Sequence, residues 1–168
     1  MKDYLVAHDL GTTGDKATLF SADGRMIRSI TQSYPIYYGE NGAVEQDPDE
    51  WWQVVCQTTG KLLEGEDKSR VAAISFAGQM MGCTCVDEKG NALRRSIIWA
   101  DTRSVEQADQ LAESYGRDKF YYTTGFKLNP SYTVTKFMWV KQYEPEIYKK
   151  TYKTLFCKDY IVLKLTGR

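Results

Sequence analysis

The run Asp9-Leu10-Gly11-Thr12-Thr13-Gly14-Asp15-Lys16 gathers into eight residues the groups that handle a phosphate. Glycines let the backbone approach a ligand closely, successive amides and the Thr12 and Thr13 hydroxyls can donate to phosphate oxygens, and Lys16 brings a positive charge. Asp9 can hold Mg²⁺ directly or through water. The run is neither a Walker loop nor a dinucleotide-binding fingerprint, because both need the glycine turn to open a helix. Here Lys16, Thr18 and Phe20 fall on one face and Ala17 and Leu19 on the other, the period of a strand. A plain hairpin turn also uses Gly and Thr, so both readings stand at this point.

Two further segments carry chemistry of another kind. Ala77-Gly78-Gln79-Met80-Met81-Gly82 lies at the end of an apolar run, where chain ends tend to carry ligands; the plainer reading is a turn with two core methionines. In Trp99-Ala100-Asp101-Thr102-Arg103 a carboxylate and a guanidinium two residues apart, beside a Trp, can grip the hydroxyls of a polyol. Alternatively Asp101 caps the next helix and Arg103 is solvated. His8, inside the first strand, reads as a packed histidine. Trp51-Trp52 reads as one face of an amphipathic helix, and Phe120-Tyr121-Tyr122 as core packing.

The elements that position these groups follow from pattern. Tyr4 to Asp9 is an apolar run ending in a carboxylate, Asp23-Gly24 makes a second tight turn, and Met26 to Ser33 is a third strand. Tyr4 to Ser33 is therefore expected to form a three-stranded antiparallel meander with the Gly11–Gly14 turn exposed at one end, facing a cleft. Asp47-Pro48-Asp49-Glu50 combines an Asx N-cap, Pro at the first helical position and acids in the first turn. Trp51, Val55, Thr58 and Leu62 then recur at helical spacing, with Gly65 closing the helix. Val71 to Ala77 reads as a buried strand and makes that helix a crossover. Strands over Cys83 to Val86 and Ser96 to Trp99 flank a turn at Glu88-Lys89-Gly90-Asn91. From Thr102 onward helices take over. Val105, Ala108, Leu111, Ala112 and Tyr115 line one face, and Tyr132 to Tyr143 and Asp159 to Leu165 follow as helices.

Length and charge set the class. With 168 residues the chain is one ordinary domain or a piece of a larger one. Twelve Tyr, six Phe and four Trp are enough to build a core. Lys and Arg total 22 against 22 Asp and Glu, which leaves no electrostatic footprint for nucleic acid or an anionic membrane. No stretch reaches the ~18 apolar residues of a membrane span, no signal-peptide pattern opens the chain, and a cytoplasmic protein is expected. The four cysteines, Cys56, Cys83, Cys85 and Cys157, form no C-x-x-C pair and read as reduced core or half-buried residues.

Taken in order, these residues resemble the N-terminal part of the FGGY carbohydrate kinases, most closely the xylulokinase-like branch. The matching segments are Asp9–Lys16, the Glu45–Trp52 helix start, Ala77–Met80, Trp99-x-Asp101-x-Arg103, Glu144–Ile147, Lys158–Tyr160 and Leu165–Gly167, spread over nearly the whole chain. The resemblance implies an α/β, ribonuclease-H-like domain of the kind shared by actin, hexokinase and sugar kinases. Such a domain has a mixed sheet, an N-terminal antiparallel meander and flanking helices. Residues 1–168 would be the N-terminal part of the first domain, incomplete, with a second, adenosine-binding domain absent from this chain. ATP and Mg²⁺ are the implied cofactors, and a sugar or polyol is the implied substrate. The remainder of the kinase chain is the implied partner, with room for a homodimer.

By the same resemblance Asp9 belongs to the Mg²⁺ and phosphate network, with Gly11, Thr12 and Thr13 near the phosphates and Lys16 helping to neutralise them. Gln79, Met80 and Met81 fall at the sugar-contacting segment, and Asp101 and Arg103 in the neighbouring motif. Xylulokinases usually carry a His where this chain has Met81, which leaves the sugar open. The family's catalytic base lies beyond Arg168, so the 168-residue chain is expected not to turn over by itself. The competing reading is a non-catalytic sugar-binding or interaction module that keeps the kinase fold.

Overall fold

The computed structural model describes residues 3–167. In chain order the strands are β1 (Tyr4–Leu10), β2 (Gly14–Ser21), β3 (Met26–Ser33), β4 (Tyr37–Tyr38), β5 (Val44–Gln46), β6 (Val71–Gly78), β7 (Thr84–Val86), β8 (Ser96–Ile97) and β9 (Lys153–Leu155). The helices are α1 (Pro48–Leu62), α2 (Val105–Tyr115), α3 (Arg117–Thr124), α4 (Thr133–Tyr143), α5 (Pro145–Lys150) and α6 (Cys157–Thr166). They divide between two compact units that share the chain discontinuously. The first takes residues up to 35, 47–79 and 157 onward, and the second takes 36–46 and 80–156.

In the first unit the sheet order is β3-β2-β1-β6, antiparallel through β1 to β3 and parallel between β1 and β6. The meander expected from period-two alternation is present, and no helix starts at Gly14. The Asp47 carboxylate accepts from the Asp49 amide at 2.9 Å and starts α1 with Pro48 in its first turn. Trp51, Val55, Thr58 and Leu62 are buried along its inner face. The helix ends at Leu62, three residues before Gly65, whose φ of +78° turns the chain that follows. Val6, Ala17, Leu19, Leu62 and Leu63 form the core between sheet and helix. Burying each of these Val and Leu side chains contributes about 1.5–3 kcal/mol.

The strand expected to be buried, β6, is largely exposed: Ile74 keeps 37% of its surface and Ala72, Ala73 and Ser75 are open. The apolar run is the edge of this sheet and pairs with β1 alone among the described strands.

The second unit holds the small sheet β4-β5-β8 and the ribbon β7-β9, with α2 to α5. Its core joins Cys83, Cys85, Ile97 and Val140, flanked by Leu93, Phe137, Trp139, Ile147 and Tyr148. Here the helical-face expectations need correction. Val105 and Tyr115 are exposed, and the inner face of α2 is Gln107 and Ala108. The supposed core trio is split, with Phe120 buried, Tyr121 half-open and Tyr122 85% exposed, because the short α3 turns only one of the three inward. Cys83, Cys85 and Cys157 are buried, while Cys56 is exposed; all four are free thiols. No described helix is long and apolar enough to cross a membrane.

Candidate functional site

The first hairpin turn is built by backbone. Gly11 N donates to Gly14 O at 3.0 Å, closing the turn. A Cβ on Gly14 would sit 2.5 Å from Gln32 O on the neighbouring β3, so only glycine lets these strands approach this closely. Tyr34, itself buried, supports the turn from below: its amide donates to Thr13 O and its hydroxyl to Gly11 O. Burial pushes the Tyr34 phenol up, assisted by nearby Cys157, Asp15 and Asp9, which keeps it a donor. Above this support Thr13 is exposed and Gly11, Thr12 and Gly14 are partly open.

Strand alternation sorts the charged groups around that turn. Asp9 and Lys16 are direct cross-strand partners, both exposed, on the face of the sheet away from α1. Asp15 and His8 point the other way and are buried under α1, with Nδ1 and Oδ2 2.9 Å apart. The Thr58 hydroxyl donates to the same Asp15 oxygen at 2.6 Å, Thr59 Oγ1 lies 3.2 Å from His8 Nε2, and the imidazole stacks on Phe76. His8 is thus a packed residue, as its place in a strand suggests. The anchoring role of Asp15 was missed, although its odd position between Gly14 and Lys16 already put a carboxylate on the buried face.

Gln79 belongs to the first unit. Its amide donates to Leu10 O at 2.8 Å, and Gly78 lies so close to Leu10 that a Cβ would come within 2.8 Å of that carbonyl. Met80 and Met81 open the second unit, and neither is a core methionine: Met80 is 55% exposed and Met81 partly exposed. Met81 has a φ of +61°, a left-handed conformation that costs a non-glycine residue about 1–2 kcal/mol and persists only where neighbours hold it. The neighbours come from α4. Lys136 Nζ donates to Met81 O at 2.7 Å and to Ser131 O, and the Thr133 hydroxyl donates to Gly82 O at 2.9 Å. Lys136 is fully buried. Burial pulls its ammonium down to about 8, against the opposing pull of Asp101 and Cys83. The sequence marks it only by its spacing of four from buried Val140.

Asp101 and Arg103 are close, as expected, but they are spent on each other. Arg103 Nε and Nη2 lie 2.7–3.0 Å from the Asp101 carboxylate, and Nη2 also reaches Glu45 at 2.8 Å. The Val44 amide donates to Asp101 Oδ2 at 2.7 Å, and the Arg103 amide to Oδ1. With the Trp139 ring 4.7 Å from its guanidinium, Arg103 is held on every side. Asp101 has no exposed surface, so a direct grip on a polyol by this carboxylate does not match the geometry. Nor does it cap α2. Ser104 occupies that position, and its hydroxyl donates instead to Pro130 O.

The first unit therefore carries Asp9, Gly11, Thr12, Thr13, Lys16 and Gln79, and the second carries Met80, Met81, Asp101 and Arg103. Among the described residues no group of three or more His, Cys, Asp or Glu could hold a metal ion. A lone carboxylate suits Mg²⁺, which keeps several waters and takes phosphate oxygens alongside one or two protein ligands.

Comparison with known proteins places this geometry in context. Residues 4–168 match the pattern of the FGGY family of carbohydrate kinases, N-terminal domain. The chain is 32% identical over 164 residues to xylulose kinase from Staphylococcus xylosus, covering 98% of this chain and 34% of that protein. It is also 32% identical over 165 residues to gluconokinase from Bacillus subtilis, covering 98% and 32%. The crystal structure of gluconate kinase from Lactobacillus acidophilus superposes with a TM-score of 0.91 at 27% identity, covering 98% of this chain and 33% of that one. The chain thus spans about a third of the length of the relatives it matches.

Proposed function

Because the chain belongs to the FGGY family of carbohydrate kinases, we propose that the whole protein carrying it transfers the γ-phosphoryl group of ATP to a primary hydroxyl of a ketose, polyol or sugar acid. The observation that carries this reading is the exposed Asp9–Lys16 pair across the tip of β1 and β2, beside a glycine turn in which Thr13 is exposed and Gly11, Thr12 and Gly14 are partly open. Phosphoryl transfer asks for positioning and charge neutralisation more than covalent chemistry, and this donor set fits that demand. Asp9 is the carboxylate that would hold Mg²⁺, which when bound supplies charge neutralisation at the phosphates. Gly11, Thr12 and Thr13 would take phosphate oxygens, and Lys16 would offset charge on the same face.

The sugar side is assigned to Gln79, Met80 and Met81, with Asp101 and Arg103 as a rigid frame beside them rather than as direct ligands. The relatives divide between xylulose kinase and gluconokinase by name. A thioether at position 81 accepts hydrogen bonds weakly, which supports a sugar other than D-xylulose. ADP release from the whole protein with a panel of ketoses, polyols and sugar acids is the test. One sugar should stand out, and Asp9→Ala should lower turnover by about 10²–10³ while leaving sugar affinity nearly unchanged. Near-normal turnover by that variant would remove Asp9 from the phosphate site, and sugar binding with no ADP release would favour the non-catalytic module.

A further inference from the structure

The sugar loop in the second unit is held by a group that belongs to none of the motifs above. Two successive backbone carbonyls, those of Met81 and Gly82, accept from side chains on the first turn of α4, Lys136 and Thr133. Lys136 also donates to Ser131 O, so its ammonium joins the loop at 80–82 to the loop that enters α4. It has no exposed surface, and Asp101 and Arg103 lie near enough to act on its charge. The amine thus touches the Met81 carbonyl directly and feels the charges of Asp101 and Arg103.

We propose that Lys136 is a positioning residue for sugar selection: by holding the Met81 carbonyl it fixes the left-handed backbone at Met81, and with it the place from which Met81 meets the substrate. The inference rests on the reading of Met81 as a sugar contact. An apolar side chain of the same length would fill the volume and leave the Met81 and Ser131 carbonyls without their donor, while a buried ammonium is costly to keep. Such a group suits a task that needs a fixed backbone more than added stability. Thr133 bonds the next carbonyl, that of Gly82, and makes no bond to the Met81 carbonyl that Lys136 holds.

The test uses the whole protein with Lys136→Met, Lys136→Arg and, separately, Met81→His. KM values for the best sugar and for ATP are measured by ADP release, with folding checked by circular dichroism. Lys136→Met should raise the sugar KM about 10–100-fold, the scale of a lost charge-assisted hydrogen bond, and leave the ATP KM unchanged.

In the wild type the sugar KM should also rise as pH passes about 8, where burial places the loss of the Lys136 proton, and it should stay flat in Lys136→Arg. The groups facing this amine are Asp101, Arg103 and Cys83. Cys83 is pushed well up by its contact with Cys85 and by burial, and Cys85 is lowered by the same contact. A rise that persists in Lys136→Arg would point to such a thiol and overturn the inference. A flat wild-type profile would overturn it even if Lys136→Met does not fold. So would equal shifts in both KM values, or a lower Tm with both KM values intact. If Met81→His leaves the ranking of sugars unchanged, the assignment of Met81 falls and this inference with it. If the ranking changes but Lys136→Met keeps its sugar KM, only the inference falls.

Discussion

Gly11 and Gly14 look alike in the sequence, and the structure separates them by a single neighbour. A Cβ at Gly11 would meet Gly14 O at 3.5 Å, an ordinary contact, whereas at Gly14 it would meet Gln32 O at 2.5 Å and Ser33 Cα at 3.0 Å. Those atoms are backbone of β3 and cannot swing aside, so Gly14→Ala is expected to cost about 1–3 kcal/mol and Gly11→Ala well under that. Thermal melts of the two variants check this, and equal melting temperatures would mean β3 yields more easily than its pairing suggests. The same local blindness hid Lys136. Spacing assigns a lysine to a helix face, but only the tertiary fold shows that its amine ends among carbonyls instead of in water. Asp101 and Arg103 were legible as a pair because they are two positions apart; Glu45, which completes the ion pair, is 58 positions away from Arg103 and left no local trace.

Local signals served best where an element carries its own start and period. The helix α1 is readable from Asp47-Pro48-Asp49-Glu50 alone, and the Asp47 carboxylate does cap it, at 2.9 Å from the Asp49 amide. Replacing that carboxylate by Asp47→Ala should lower stability by about 1 kcal/mol, measured by denaturant titration, with Asp47→Ser restoring most of the loss. A result within error of wild type would mean that tertiary contacts hold the first turn, among them the Tyr160 hydroxyl on Asp49 at 2.7 Å. Period-two alternation likewise gave β1 to β3, while the pairing of Asp9 with Lys16 emerges only from the strand register. The continuous-run reading failed for β6, because an unbroken apolar run reports what a strand can bury and not what covers it. The helical-face reading held only in part for α2, where Ala108 is buried but Val105 and Tyr115 are exposed, and core packing held for Phe120 but not for Tyr121 and Tyr122 in α3. Gln107 is buried and Tyr122 is open, a reversal that hydrophobicity alone cannot supply.

At the scale of the whole molecule the sequence shows one uninterrupted stretch, and the structure shows two interleaved units. Residues 36–46 leave the first sheet to join 80–156, and 157 onward returns to the first unit. No shift in composition marks these crossings, since β5 and α6 are as ordinary in residue content as their neighbours. The proposed assignment follows nearly the same line, with the candidate phosphate turn in the first unit and the candidate sugar-side residues other than Gln79 in the second. Neither unit holds a carboxylate assigned as a general base: Asp9 is the proposed metal and phosphate ligand, and Asp101 is bound by Arg103. The family resemblance puts the base in a later segment, and the chain spans about a third of its relatives. Residues 1–168 produced alone should therefore release no ADP above background with any sugar that the whole protein phosphorylates. The measurement compares the two at equal concentration, after circular dichroism has shown the mixed α/β content in the shorter chain. ADP release by residues 1–168 in a sugar-dependent manner would show that the groups described here suffice for chemistry. Either Asp9 or another carboxylate in this chain would then have to act as the base.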